Sequence, residues 1–516
     1  MFIKNDQAFY LYYILVLFGL ATVLLTTPFL RFPYDAIAHL IAIDEMYHDA
    51  AITSTSIPNG RLIWHNIWAR IFYIFDITSL DFLLRAKIIH VVQTFVALFS
   101  VYYFSHVVIR NIFYNIPKIT LQYLSLWSVL IWFSIFATFS MHYQLIWNLW
   151  YSISYQITLP LFWYITALTL VLFLEDISIR KKIFFIIQIL IISRFILQAH
   201  SMEFMYYLMY VFTFSLFYIG KIYQLVKSYY YLFILFAASI VYFIKNFQPD
   251  SSQFFNYMNK DQLPFLYDNI ISTGERVIGH YNRSSAVINE LMYFIFYTGI
   301  IVLVYFLWHK YHKKSYVHSK VFIFIIATSL FIFIPLYQFP AGLFGIITKQ
   351  HVVHRIYYSS SLFVLLPIFI YYISKIYKLR LRYINLLLLI SLLSVFTYSK
   401  YDSSLGNTYY KNIRSIKNSF SREKYTFHLS QKHIDLIGDK IAYYESKNPT
   451  TKEIHYFARH DIAFVLKYVY GKKVYWKGRR WATNHKKAYW RHKKYIKYHN
   501  VMYIPHRIFP PYTPYK

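Results

Sequence analysis

The 516 residues include no cysteine. Disulfides, thiolate metal sites and cysteine nucleophiles are therefore excluded. Glycine is scarce, at 12 residues, and no Gly-rich phosphate-cradling loop, GxSxG elbow or HExxH motif occurs. A cytosolic ATPase or a zinc protease accordingly has no support. Acids are also few: 22 Asp and Glu face 53 Lys and Arg, giving a formal net charge of +31. In a soluble chain that excess would suggest nucleic acid. Here 58% of residues are hydrophobic, too many for one soluble domain. Anionic membrane surfaces and anionic lipid-linked ligands are the partners the charge fits, and nucleic acid is not expected.

What the sequence has instead is a rhythm of long apolar runs. Runs of about 17–22 residues recur to about residue 399, each long enough to cross a hydrocarbon core of roughly 30 Å as a helix. Eleven spans are predicted, at roughly 9–30, 88–108, 121–140, 157–175, 183–199, 204–220, 229–245, 290–308, 320–337, 356–374 and 383–399. Basic residues collect in alternate gaps. They are Arg110 and Lys118, then Arg180, Lys181 and Lys182, then Lys221 and Lys227, then Lys310, Lys313 and Lys314, then Lys375, Lys378, Arg380 and Arg382. All fall on the same side as Lys4, whereas residues 141–156 contain no Lys or Arg. Cytoplasmic loops hold the positive charge, so the N-terminus is expected inside and the C-terminus outside. The first span follows only Lys4 and has no small-residue cleavage site after it, so it reads as a retained signal-anchor helix.

Three outer segments are long: residues 31–87, residues 246–289, and the tail from about residue 400. The tail carries 25 Lys and Arg against 7 Asp and Glu, with no run long enough to span. It reads as a separate domain, 400–516, beside a membrane domain of 1–399. Helices are expected at 428–446 and 460–469, a basic helical stretch near 484–495, and strands at 453–457, 472–476 and 501–504. Alternating strands and helices imply a small α/β layer with a mainly parallel sheet. Pro505, Pro510, Pro511 and Pro514 argue for an extended end.

Chemistry-bearing residues gather at the outer level. The first loop reads Arg31-Phe-Pro-Tyr-Asp35-Ala-Ile-Ala-His39-Leu-Ile-Ala-Ile-Asp44-Glu45-Met-Tyr-His48-Asp49. At helical spacing Asp35 and His39 share a face, as do Asp44 and His48. A partly dehydrated carboxylate at this level makes a usable proton acceptor. The same residues also suit a capped amphipathic surface helix with Asp35 near its N-terminus. Residues Leu62–Phe75, rich in Trp, Phe and Ile, suit either a helix lying in the headgroup plane or a loop helix packed on the spans.

Arg194 lies inside the outer boundary of the fifth span, four residues from its end, with His200 just beyond. A charge there faces a cavity or snorkels outward. Lys349-Gln-His351-Val-Val-His354-Arg355 forms a second basic cluster ahead of the tenth span. Such groups either hold a phosphate and stabilise it as a leaving group or anchor the interface. In the loop 246–289, Arg276, His280 and Arg283 are either a third phosphate-binding group or solvated loop charge. Asn282-Arg283-Ser284 matches a glycosylation sequon, a frequent chance match. No motif requires a cofactor; a divalent cation, Mg or Mn, on Asp44 and Glu45 is compatible with the acid pair.

An acidic motif after the first span, a neighbouring interfacial helix, eleven spans and an outward α/β tail together resemble the GT-C superfamily of membrane glycosyltransferases. The pattern looks most like the branch of protein mannosyltransferases and lipid A aminoarabinose transferases. The pair Asp44-Glu45 is similar to the adjacent acids some members carry in this loop. The segment Asp461–Trp476 resembles the helix–turn–strand of their periplasmic domains. The separated acid-x-acid form of the motif is absent, which leaves Asp35 as a rival to Asp44.

The resemblance implies transfer of a sugar from a polyprenyl-phosphate-linked donor to a glycan, lipid or protein acceptor, within the bilayer of a bacterial inner membrane and at its extracytoplasmic face. Asp44, Glu45 or Asp35 would supply the base, and Arg194, His200, His351, His354 and Arg355 would hold the donor phosphate. One rival is a polysaccharide polymerase or ligase of the O-antigen or capsule type, working through Arg276, His280 and Arg283. A second is a transporter or flippase, which would carry ionisable residues near the middle of several spans.

Overall fold

The computed structural model describes residues 43, 46, 63–77, 82–113, 115–132, 154–228, 266–282, 299, 301–309, 319–347, 356, 359–378, 431–447, 454–458, 462, 465, 466, 469–472 and 500–504. They fall into two compact units. One lies within 1–16, 95–143 and 157–398, the other within 17–94, 144–156 and 399–516.

The helices in chain order are α1 (Ile63–Ile74), α2 (Phe82–Ile112), α3 (Lys118–Ile131), α4 (Ser154–Leu174), α5 (Ile179–Ala199), α6 (Ser201–Phe217), α7 (Ile219–Ser228) and α8 (Leu266–Asn282). They continue with α9 (Ser319–Ser329), α10 (Gln338–Ile347), α11 (Leu362–Ile376) and α12 (Gln431–Lys447).

Among the described residues, three stretches are long and apolar enough to cross a membrane: Phe95–Ile112 of α2, Ile157–Leu174 of α4 and Ile179–Ala199 of α5. Shorter apolar helices cover Met202–Phe217, Lys320–Ser329 and Leu362–Ile376. These agree with the runs predicted for the same segments. α9 passes into a 3-10 helix, Leu330–Leu336. The tighter winding rises about 2.0 Å per residue instead of 1.5 Å and lengthens that element. The predicted spans 9–30, 229–245 and 383–399 lie outside the described residues.

Aromatic contacts fix the directions in the first unit. Phe104 meets Trp163 with ring centres 4.6 Å apart, and Arg110 pairs with Glu175, so α2 and α4 run parallel. Thr158 donates to Glu203 at 3.2 Å and Phe173 meets Phe214 at 5.5 Å, so α4 and α6 are parallel too. Phe104–Phe363 and Phe113–Tyr371 align α11 with α2. Tyr164 donates to Gln188, making α5 antiparallel to α4. Lys320 stands over the Tyr218 ring while Phe331 meets Tyr210, which makes α9 and its 3-10 extension antiparallel to α6. The bundle therefore has two distinct ends. Arg110, Glu175, Tyr218, Lys320 and Lys375 mark one, and Thr158, His200, Glu203 and Ser359–Ser361 lie toward the other.

The stretch Gly274–Arg283 was expected in a loop. Its described part is instead helical, as the C-terminal half of α8, which crosses α10. A Cβ on Gly274 would collide with the Gln338 carbonyl, and one on Gly342 with the Ile270 carbonyl. The crossing is antiparallel, because 338 sits against 274 and 342 against 270. The gap predicted between 337 and 356 contains α10.

In the second unit, α1 buries Trp64, Trp68 and Phe72 at four-residue spacing and exposes Tyr73 and Ile74, with Phe75 exposed just past its end. Trp64 Nε1 donates to the buried Gln93 at 2.9 Å. In the tail, α12 buries Ile434, Ile437 and Ile441. The strands β1 (Ile454–Ala458) and β2 (Asn500–Ile504) pair in parallel, with Tyr456 opposite Met502. Residues 462, 465 and 466 are helical, and the chain turns at Gly471 with φ +61, a left-handed stop that glycine adopts without strain. Lys472 is not in a strand; the rest of the predicted 472–476 strand and the 484–495 helix lie outside the described residues.

Candidate functional site

One residue separates α5 from α6. His200 is extended, at φ −157 and ψ 95, and its backbone N–H donates to the Ile196 carbonyl at 2.8 Å. The chain reverses there, and Glu203 falls in the first turn of α6. Carboxylates are favoured at that end of a helix by its dipole. Glu203 is only 4% exposed. A carboxylate so deep in an apolar bundle is costly unless paired and hydrogen-bonded. It has two such partners: His200 Nδ1 lies 2.5 Å from Glu203 Oε2, and the fully buried Thr158 donates its hydroxyl to the same oxygen at 3.2 Å.

An aromatic floor underlies this trio. Phe162, one turn after Thr158, meets Tyr206 at 6.1 Å and Tyr210 at 5.1 Å. Tyr206 stacks on Phe344 of α10 with centres 6.3 Å apart and planes 9° from parallel. α10 therefore reaches to within one turn of Glu203 along α6. Deeper along α6, Tyr210 donates to the Ser359 carbonyl. Ser361 Oγ lies 2.7 Å from Thr328 Oγ1 and 3.0 Å from Ser329 Oγ. This buried hydroxyl cluster ties the start of α11 to α9.

Arg194 is exposed on α5. At 100° per residue it centres on the stripe formed by Ile183, Ile187, Leu190 and Ile191, all strongly exposed, whereas Ile196 and Ala199 on the opposite side are buried. Arg194 therefore lies on the exposed side of α5. Arg276 is exposed on α8 and His280 lies in the same helix. The adjacent Glu275 accepts from Gln338 Nε2 at 3.0 Å. The antiparallel crossing sets these residues toward the start of α10, at the opposite end from Ile347. The structure thus brings His200 together with Glu203 and sets Arg194 on the exposed side of α5.

Asp35, Asp44, Glu45, Arg283, His351, His354 and Arg355 lie outside the described residues. Two described elements flank the 351–355 cluster: α10 ends at Ile347, and Ile356, next to Arg355, is fully buried. Among the described residues no three His, Asp or Glu side chains gather as a metal site.

Sequence reasoning included His200 but missed Glu203 and Thr158. The three-residue spacing from His200 to Glu203 was a readable signal. Nothing in the sequence pointed to Thr158, 45 positions away. No protein-family model matches this sequence, and no curated protein does either.

Proposed function

We propose that this chain is an integral membrane glycosyltransferase. It takes a sugar from a polyprenyl-phosphate-linked donor and passes it to a glycan, lipid or protein acceptor at the extracytoplasmic face of a bacterial inner membrane. In this reading it has eleven spans, a GT-C-like arrangement and an outward basic α/β tail. The observation that carries it is the two-ended character of the apolar bundle. Lys and Arg mark one end, and a buried carboxylate, Glu203, paired with the partly exposed His200 imidazole, lies toward the other. Ionisable groups buried in apolar bundles are costly and belong by default to functional sites.

Sugar transfer from a lipid phosphate needs a base for the acceptor hydroxyl and positive charge for the departing phosphate. Asp44 takes the acceptor proton, with Glu45 beside it and Asp35 as the rival base. His200, Arg194, His351, His354 and Arg355 offset the phosphate charge as the glycosidic bond breaks. Mg or Mn on Asp44 and Glu45 is an optional addition. The experiment is a transfer assay on purified variants. Asp44→Asn should abolish transfer, because an amide keeps the shape but takes no proton at neutral pH, while donor lipid still binds. Loss in Asp35→Asn with Asp44→Asn active would move the base to Asp35.

A polymerase or ligase is the second reading, favoured by one observation: α8, which carries the exposed Arg276, packs on α10, whose Phe344 stacks on Tyr206. A dead Arg276→Ala beside active acid variants would select it.

A further inference from the structure

A Glu in the first turn of a helix usually reaches back to the N–H of the residue before the helix, as in a capping box. Glu203 does not. The His200 backbone N–H is already given to the Ile196 carbonyl at 2.8 Å, and α6 has no side-chain cap. The carboxylate is aimed instead at the ring, with Oε2 2.5 Å from Nδ1, and Thr158 holds that oxygen from the neighbouring helix at 3.2 Å. Its two partners are side chains, one from the turn and one from α4. The carboxylate is directed at an imidazole that is itself partly exposed, with 20% of its side chain open, while Glu203 is sealed beneath it.

We propose that Glu203 is a positioning residue. It fixes the His200 ring with Nδ1–H directed to the carboxylate, so that in the imidazolium form Nε2–H donates to the ligand, which is the phosphate of a lipid-linked donor. A carboxylate or carbonyl on one ring nitrogen sets what the other can do. Thr158 braces Glu203 so that the ring cannot turn. The ligand assignment rests on the glycosyl-transfer reading; the ring assignment does not.

The test uses the full chain in phosphatidylcholine nanodiscs, with two readouts. The first is the nitrogen-15 spectrum of histidine-labelled protein, in which the signal missing from His200→Gln identifies His200. The protonated-Nδ1 signature at His200 should be present in wild type, lost in Glu203→Met and weakened in Thr158→Val. The second is binding of polyprenyl monophosphate as the probe. Glu203→Met and His200→Gln should each weaken it about tenfold, and the double variant no further, because the two residues act as one unit. Glu203→Asp should recover part of the affinity.

An unchanged His200 signature in Glu203→Met overturns the proposal, as do fully additive losses in the double variant. A fall in melting temperature with both readouts unmoved would make Glu203 a structural residue only, and overturns it equally. If wild type binds no polyprenyl phosphate but the signature depends on Glu203, the positioning stands and the glycosyl-transfer reading fails.

Discussion

Arg110, near the end of α2, pairs with Glu175, just past the end of α4, and Asn111 Nδ2 donates to the same carboxylate at 3.3 Å. The pair is partly exposed, at 43% and 23%, so its contribution to stability is small, on the order of 1 kcal/mol or less. Its value is directional. Two helix C-termini meet at the end where the sequence collects its Lys and Arg. The parallel run of α2, α4, α6 and α11, opposed by α5 and α9, is what alternating spans require.

That arrangement is open to a direct accessibility test, because a cysteine-free chain turns any single introduced cysteine into a clean reporter. Asp176→Cys, in the exposed turn beside Glu175, should react with a membrane-impermeant maleimide only in inside-out vesicles. Tyr337→Cys, at the exposed start of α10, should react only in intact cells. Labelling of both from the same side would break the topology.

The α8–α10 crossing depends on two glycines with no room for a methyl group. Gly342→Ala should force the helices apart and lower stability by about 1–3 kcal/mol, read as a fall in melting temperature in detergent. Gly220→Ala is the control. Gly220 is in helix α7 with nothing near its Cβ position, so the substitution should leave stability unchanged or slightly raised.

How much of this was legible in sequence depends on the element. α4 and α5 follow from run length, since their apolar stretches match the spans read at 157–175 and 183–199. α1 and α12 announce themselves by apolar residues at helical spacing. β1 and β2 appear as short β-branched and aromatic runs within a residue of their observed limits. α8 and α10 escaped. A span-length window averages over α8, whose burial among the described residues falls on Ile270, Thr273, Gly274 and Val277, and over α10, which is ten residues long. The Glu203–Thr158 contact escaped for a different reason. It depends on which helices run parallel, and periodicity does not specify neighbours.

Acid should loosen the tail at one identifiable point. Glu445 Oε1 accepts from Lys472 Nζ at 2.7 Å and from the Tyr456 hydroxyl at 2.6 Å, joining α12 to β1 and to the turn after Gly471. The Lys472 hydrogen bond first, and the Tyr456 one second, hold the Glu445 carboxyl below the ordinary carboxylate range. A depressed folded value means the stabilisation is present above that range and is lost as pH falls through the folded value. Hydrogen exchange of residues 431–447 and 454–458 should therefore speed up as pH drops below the ordinary carboxylate range, after correction for intrinsic rates. Glu445→Gln should flatten that dependence. An identical pH dependence in both proteins would remove Glu445 as the cause.

Arg194 offers a chemical test of phosphate binding. Arg194→Ala should weaken donor binding or transfer in a protein that still folds. Lys at this position should restore only part, because an ammonium lacks the planar fork that matches phosphate. Full activity of Arg194→Ala would remove it from the mechanism and leave it as an interfacial anchor.

The central claim is that the chain moves a sugar from a lipid phosphate. Purified protein in liposomes, supplied with a polyprenyl-phosphate sugar and an acceptor extract, should release polyprenyl monophosphate in step with labelled sugar joined to acceptor. Intact lipid-linked sugar crossing the bilayer, with no cleavage of the sugar–phosphate bond, would contradict the account and make the protein a flippase.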